Sequence, residues 1–359
     1  MTTTLRVVLD QLVAPTDPDL AMASRELARA LLAASPRGCE VAGVVPAASA
    51  DALEALGVKG LAGVTASAIP RRELSTALTL GLPSGLGGGM LHSPTLFAPL
   101  VRHDRAHKSE QTVVTIWDLS PWTDPGSVSK ASVAWHRAML KRAERYADAV
   151  IVPLHSMAEE LAERSKLGGR IRVIAGAAPE GFAVPRDEVG RRRELGVPEG
   201  AVVVDASGAD SEGVTQLVAR LGEGSGPVLV LGGDDETAAA LGDSAVVLGQ
   251  LDDAGRAAVV GAASVVVHPG VRPLYPWRVV EALVLGVPVV ASESAVMREV
   301  LADGGIVVDA DPSALATAVQ TVLSSGDART RAATLAADRG RGFSWREAGE
   351  RVWQLHADL

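Results

Sequence analysis

Val246-Val-Leu-Gly249-Gln-Leu-Asp-Asp253, then Ala263-Ser-Val-Val-Val-His268-Pro269, then Glu281-Ala-Leu-Val-Leu-Gly286-Val-Pro288-Val-Val-Ala-Ser292, and finally Gly305-Ile-Val-Val-Asp309: these runs decide the fold. Each Val-rich run is short and unbroken, as in a strand buried on both faces. Between them lie stretches long enough for a helix. That alternation is the grammar of βαβ units in a parallel sheet. Outward from this stretch, Ala201–Asp205, Pro227–Leu231 and Ala245–Leu248 read as earlier strands of the same kind. Ser264–His268, Val287–Ala291 and Gly305–Asp309 complete the set.

The first half repeats the grammar. Leu5–Leu9, Glu40–Val45, Gln111–Trp117, Ala149–Val152 and Ile171–Ile174 read as strands, and Asp19–Ala34 and Ser132–Tyr146 as helices. Ala177 to Gly200 is rich in Pro and Gly and reads as a linker; its Arg191-Arg192-Arg193 run reads as a solvated helix face. Gly85–Gly89 and Gly232–Asp235 read as loops. The expected boundaries are 1–178 for a first Rossmann-like domain, 179–340 for a second, and 341–359 for a terminal helix.

Composition narrows the function. The chain has 359 residues, 47% hydrophobic and 21% charged, enough for two full cores. Aromatics are only 3%, so Ala, Val and Leu must fill those cores. A net charge of −9 argues against a nucleic-acid binder, because phosphate neutralisation needs a basic surface. The single Cys39 rules out an internal disulfide framework, and no His, Cys or carboxylate spacing suggests a metal cage. With no signal-type amino end and no apolar run of spanning length, the expectation is a cytoplasmic protein, with contact at the inner face of the membrane left open. Self-association is left open too.

The stretch Val246–Val308 resembles the nucleotide-sugar domain of retaining family-4 glycosyltransferases. Weaker matches run through the first half at His92-Ser93-Pro94, Thr115-Ile-Trp117-Asp118-Leu119, His136-Arg137 and Ala147–Pro153. The tail Phe343–Trp353 looks like the family's terminal helix, which returns to the first domain. The resemblance implies the GT-B fold: two Rossmann-like domains whose parallel sheets face each other across a cleft. It implies transfer of a hexose from a nucleotide-diphosphate sugar, with retention, to an envelope glycan, a lipid or a small acceptor. No cofactor or metal is implied. A catalytically inactive relative, acting as nucleotide-sugar sensor or scaffold, is the competing expectation.

The chemistry asks for fixed positive groups where the leaving diphosphate gains charge. A helix beginning near Pro276 presents the N–H groups of Trp277 and Arg278 to such a ligand. Glu281 lies on the same face as Arg278 at i, i+3. The resemblance gives Glu281 the ribose hydroxyls; the plain reading is a helix-start glutamate stabilised by the macrodipole. The family's preceding glutamate is Pro273 here, and its Gly-Phe-Gly turn is Leu274-Tyr275-Pro276. The stretch Asp205–Gly213 lacks the basic residues that usually hold the diphosphate. Arg272 and Arg278 are the substitutes at hand; surface ion pairing is equally compatible with both. Asp118, at a strand's carboxyl end, suits either an acceptor hydroxyl or a helix N-cap.

Overall fold

The computed structural model describes residues 2–86, 88–104, 109–222, 224–233 and 235–359. Gly87 of the Gly85–Gly89 loop and Asp234 of the Gly232–Asp235 loop lie outside the described residues. The chain divides into two compact units, Met1–Gly176 with Ser344–Leu359, and Ala177–Phe343.

The first unit is built on a seven-stranded sheet. Its strands are β1 (Thr3–Val8), β2 (Cys39–Val45), β3 (Val64–Ala66), β4 (Met90–Ser93), β5 (Gln111–Thr115), β6 (Ala149–Val152) and β7 (Ile171–Val173). They run in the order β3-β2-β1-β4-β5-β6-β7, and every pairing is parallel. Helices form where the local signals are strong. Asp17 caps the Pro18–Ala33 helix by accepting the Asp19 and Leu20 N–H groups, and Pro18 takes the first turn, where its missing N–H costs nothing.

The second unit has six parallel strands: β8 (Val202–Asp205), β9 (Val228–Leu231), β10 (Val246–Leu248), β11 (Val265–His268), β12 (Val289–Ser292) and β13 (Ile306–Val308). Their order is β10-β9-β8-β11-β12-β13. Val202, Val204, Val230, Val265, Val267 and Val290 share one core with Leu217, Leu315 and Val319 from the covering helices. In each sheet the strand order reverses beside the first strand, between β1 and β4 and between β8 and β11. Ligands of open parallel sheets bind outside the carboxyl ends of strands at such reversals.

Two strands escaped the sequence reading. β3 is three exposed residues, so it has no apolar signature. β4 is Met-Leu-His-Ser, without a β-branched residue, and buries His92 and Ser93. The Ala177–Gly200 segment holds a helix, Glu188–Glu194, rather than an open linker. Its basic run is not uniformly solvated: Arg192 is buried and donates to Glu188 at 2.7 Å. The chain passes from one unit to the other at 176/177 and 343/344.

Candidate functional site

At the carboxyl edge of the second sheet, the loops after β8 and β11 press together. His268 Nδ1 lies 2.8 Å from Asp205 Oδ2, and both side chains are buried. Burial would raise the Asp205 carboxyl, but His268 and the bonds from Ser207 hold it below the ordinary carboxylate value. Gly270 is obligatory at this crossing, because a Cβ there would lie 2.3 Å from the Ser207 carbonyl oxygen. Arg272 then reaches back and donates from Nη2 to the Ala209 carbonyl at 2.6 Å. The loop after β8 has no base of its own, and the fold brings it one from the loop after β11.

The helix Trp277–Val284 follows, one residue later than its expected start, with Pro276 as the N-cap residue and no side-chain cap. Trp277 does not present its N–H to a ligand as the sequence reading expects: that group donates to the Tyr275 carbonyl at 3.1 Å. Its indole is buried against Tyr275, with ring centroids 4.6 Å apart. The family's glycine turn is therefore replaced by a packed aromatic corner.

Arg278 and Glu281 do share a face, and they form an ion pair at 3.1 Å. Glu281 is 1% exposed. Its carboxylate also takes Arg256 Nε at 3.2 Å and Nη2 at 3.0 Å. Burial pushes the Glu281 carboxyl above its ordinary value, against the pull of Arg278 and Arg256. Arg256 went unrecognised in the sequence, since nothing in its own helix, Asp253–Gly261, marks a partner 25 positions on.

The first unit offers a cavity of about 780 Å³ at the carboxyl edge of its sheet. Gln11 follows β1, Thr95 follows β4, and Thr115 ends β5, with Trp117 and Asp118 just beyond. The helices Arg71–Leu80 and Lys130–Tyr146 supply Arg71, Arg72, Trp135 and His136. Asp118 Oδ1 accepts the Ser120 N–H at 2.7 Å, but the N-cap residue of the short Ser120–Thr123 helix is Leu119 and the helix has no side-chain cap. Among the described residues, its second oxygen has no protein partner. Burial lowers the His136 pKa; its Nδ1 sits 2.8 Å from the Ser132 carbonyl, and Asp118 raises the pKa weakly. Beneath the cavity, fully buried Asp10 pairs with Arg71 at 2.8 Å. Asp10 and Arg71 were also missed; the one available signal was a carboxylate directly after an apolar strand.

Among the described residues, no three His, Cys, Asp or Glu side chains converge as a metal site would require. No helix is long and apolar enough to cross a membrane.

Residues 213–325 match the family described as glycosyl transferases group 1. The chain has a GT-B fold, and over that stretch it is similar to group 1 glycosyl transferases. The matched stretch holds β9 to β13 and the Trp277–Val284 helix, and so most of the carboxyl-edge site. A phosphatidyl-myo-inositol mannosyltransferase of Mycobacterium leprae is 34% identical over 113 residues, which is 30% of either chain. A GDP-mannose-dependent alpha-mannosyltransferase of Mycolicibacterium smegmatis is 29% identical over 69% of this chain and 71% of its own. Among solved structures, sucrose-phosphate synthase from Thermosynechococcus elongatus superposes with a TM-score of 0.72 at 20% identity, covering 99% of both chains. Anabaena Alr3699/HepE in complex with UDP and glucose gives 0.68 at 18% identity, covering 100% of both. These structural likenesses show the GT-B fold.

Proposed function

We propose that the chain is a hexosyltransferase that uses a nucleotide-diphosphate sugar. GDP-mannose is the first donor to test, since two relatives are named for mannosyl transfer. What carries the reading is Arg272, a guanidinium held against the one loop whose sequence lacks a cation for the diphosphate. Its planar fork suits phosphate oxygens. Arg278 is the second cation. When it turns from Glu281 to the diphosphate, Glu281 is released to accept the ribose hydroxyls. The acceptor occupies the first-unit cavity, and the unpaired oxygen of Asp118 orients the attacking hydroxyl. In the transfer step, the bond between the anomeric carbon and the diphosphate oxygen breaks. The bond from that carbon to the acceptor oxygen forms on the same face, with retention, and the acceptor proton passes to the leaving phosphate. No metal or cofactor takes part.

One observation favours a second reading. Glu281 is buried with both of its arginine partners in place, and the aromatic corner of Tyr275 and Trp277 closes the turn before it. A protein in that form binds a nucleotide sugar weakly and turns it over slowly, as a sensor or scaffold would. Incubation with GDP-mannose or UDP-glucose, followed by measurement of released nucleoside diphosphate, separates the two. Release that depends on enzyme concentration and is lost in Arg272→Ala supports the transferase. Binding with no release over hours supports the sensor.

A further inference from the structure

The first-unit cavity has a cationic corner whose donors the protein leaves unused. Arg71 opens the Arg71–Leu80 helix, and its N-cap, Pro70, makes no side-chain capping bond. The Arg71 guanidinium is locked from two directions. Its Nε donates to Asp10 at 2.8 Å, and its plane lies over the Phe97 ring, 5.0 Å from the centroid. Asp10 and Phe97 are both buried, and Gln11 Nε2 fixes Asp10 further at 2.9 Å. Among the described residues, no protein group accepts from the two Nη groups of Arg71, nor from the exposed Arg72 beside it. Thr115 lines the same cavity, is 2% exposed, and has a hydroxyl with no partner. A buried polar group left unpaired is costly, so a native site that keeps one points to an occupant that satisfies it.

We propose that this cavity takes a phosphorylated sugar or polyol as its acceptor. Arg71, Arg72 and the first-turn amides of their helix hold the phosphate. Thr115 and Asp118 meet the hydroxyls. A buried carboxylate behind an arginine is how a protein aims that fork without leaving it mobile, and the helix N-terminus adds a partial positive charge of its own. The inference rests on the glycosyl-transfer reading and names the acceptor class for it.

The test is calorimetric titration of the full chain with glucose 6-phosphate, glucose and inorganic phosphate. It is repeated for Arg71→Gln and Arg72→Gln, and GDP is titrated separately into each protein. The expected result is that glucose 6-phosphate binds at least about tenfold more tightly than glucose. It should lose about tenfold or more in Arg71→Gln and about threefold in Arg72→Gln, while GDP affinity stays unchanged in both. Arg72 is exposed, so its replacement reads the site without disturbing the fold. Equal binding of glucose and glucose 6-phosphate would overturn the proposal. So would phosphate affinity unmoved by either variant, or no saturable binding of either phosphate probe at millimolar concentration. A failure of the donor reading shows elsewhere, as loss of GDP binding in the unaltered chain.

Discussion

Glu281 is the residue on which the second unit turns. A buried carboxylate survives only when its charge is met, and Arg256 and Arg278 meet it from two helices. Arg256 ties three groups at once: Glu281, Asp253 at 2.7 Å and the Leu251 carbonyl at 3.0 Å. Removing one partner of a buried pair leaves a charge without compensation. Arg256→Met should therefore lower stability by roughly 3 kcal/mol, measured by urea denaturation; a change below about 1 kcal/mol, the surface-pair range, would mean the network is solvated. Part of this was legible in the sequence. The i, i+3 spacing of Arg278 and Glu281 fixed their shared face, and the ion pair follows from it. Arg256 was not legible, because its partner lies across a helix–helix contact that no local period encodes. The same holds for Arg272, whose role depends on a neighbouring loop being folded against it, and for the Asp10–Arg71 pair, 61 positions apart.

Among the elements, the terminal helix Trp345–Asp358 is the one with the most unusual seat. It packs on the Pro18–Ala33 helix, where Trp353 Nε1 donates to the Leu31 carbonyl at 2.9 Å. Gly349 permits the approach, since a Cβ there would lie 2.7 Å from the Ala30 carbonyl oxygen. Its last turn meets β4 through two buried histidines, with His356 Nε2 3.3 Å from His92 Nδ1 and His356 Nδ1 2.8 Å from Gln111 Oε1. Burial lowers the His356 pKa to about 4, and burial with the His356 neighbour drives His92 well below the ordinary value. Both histidines are thus neutral when folded and take up protons on unfolding. Their contribution is complete above the unfolded value of about 6.5 and is lost as the pH falls toward 4. For His356 alone the loss between pH 7 and pH 4.5 is on the order of 2 kcal/mol. Thermal unfolding across that range should show a steeper acid decline for the wild type than for His356→Gln; parallel curves would place the histidines in water. The sequence announced this helix through its resemblance to the family's tail, but not its polar seat. β4 carries no apolar period, and its buried His92 and Ser93 look like loop residues until the strand is paired.

At the scale of the whole molecule, alternation of Val-rich strands and helices was enough to specify two doubly wound parallel sheets, because burial on both faces leaves a continuous apolar signature. What alternation does not specify is charge placement. A chain of net charge −9 nevertheless sets arginines at the carboxyl edge of each sheet, Arg71 and Arg72 in one and Arg272 and Arg278 in the other. The diphosphate and acceptor sites proposed above would give an acidic protein a reason to hold cations at both edges. Calorimetric titration of GDP and of guanosine into the unaltered chain and into Arg272→Ala tests this most directly. The prediction is saturable GDP binding, weakened about tenfold or more by the substitution, with guanosine affinity unmoved. Failure of GDP to bind at millimolar concentration, or equal GDP affinity for both proteins, would contradict it.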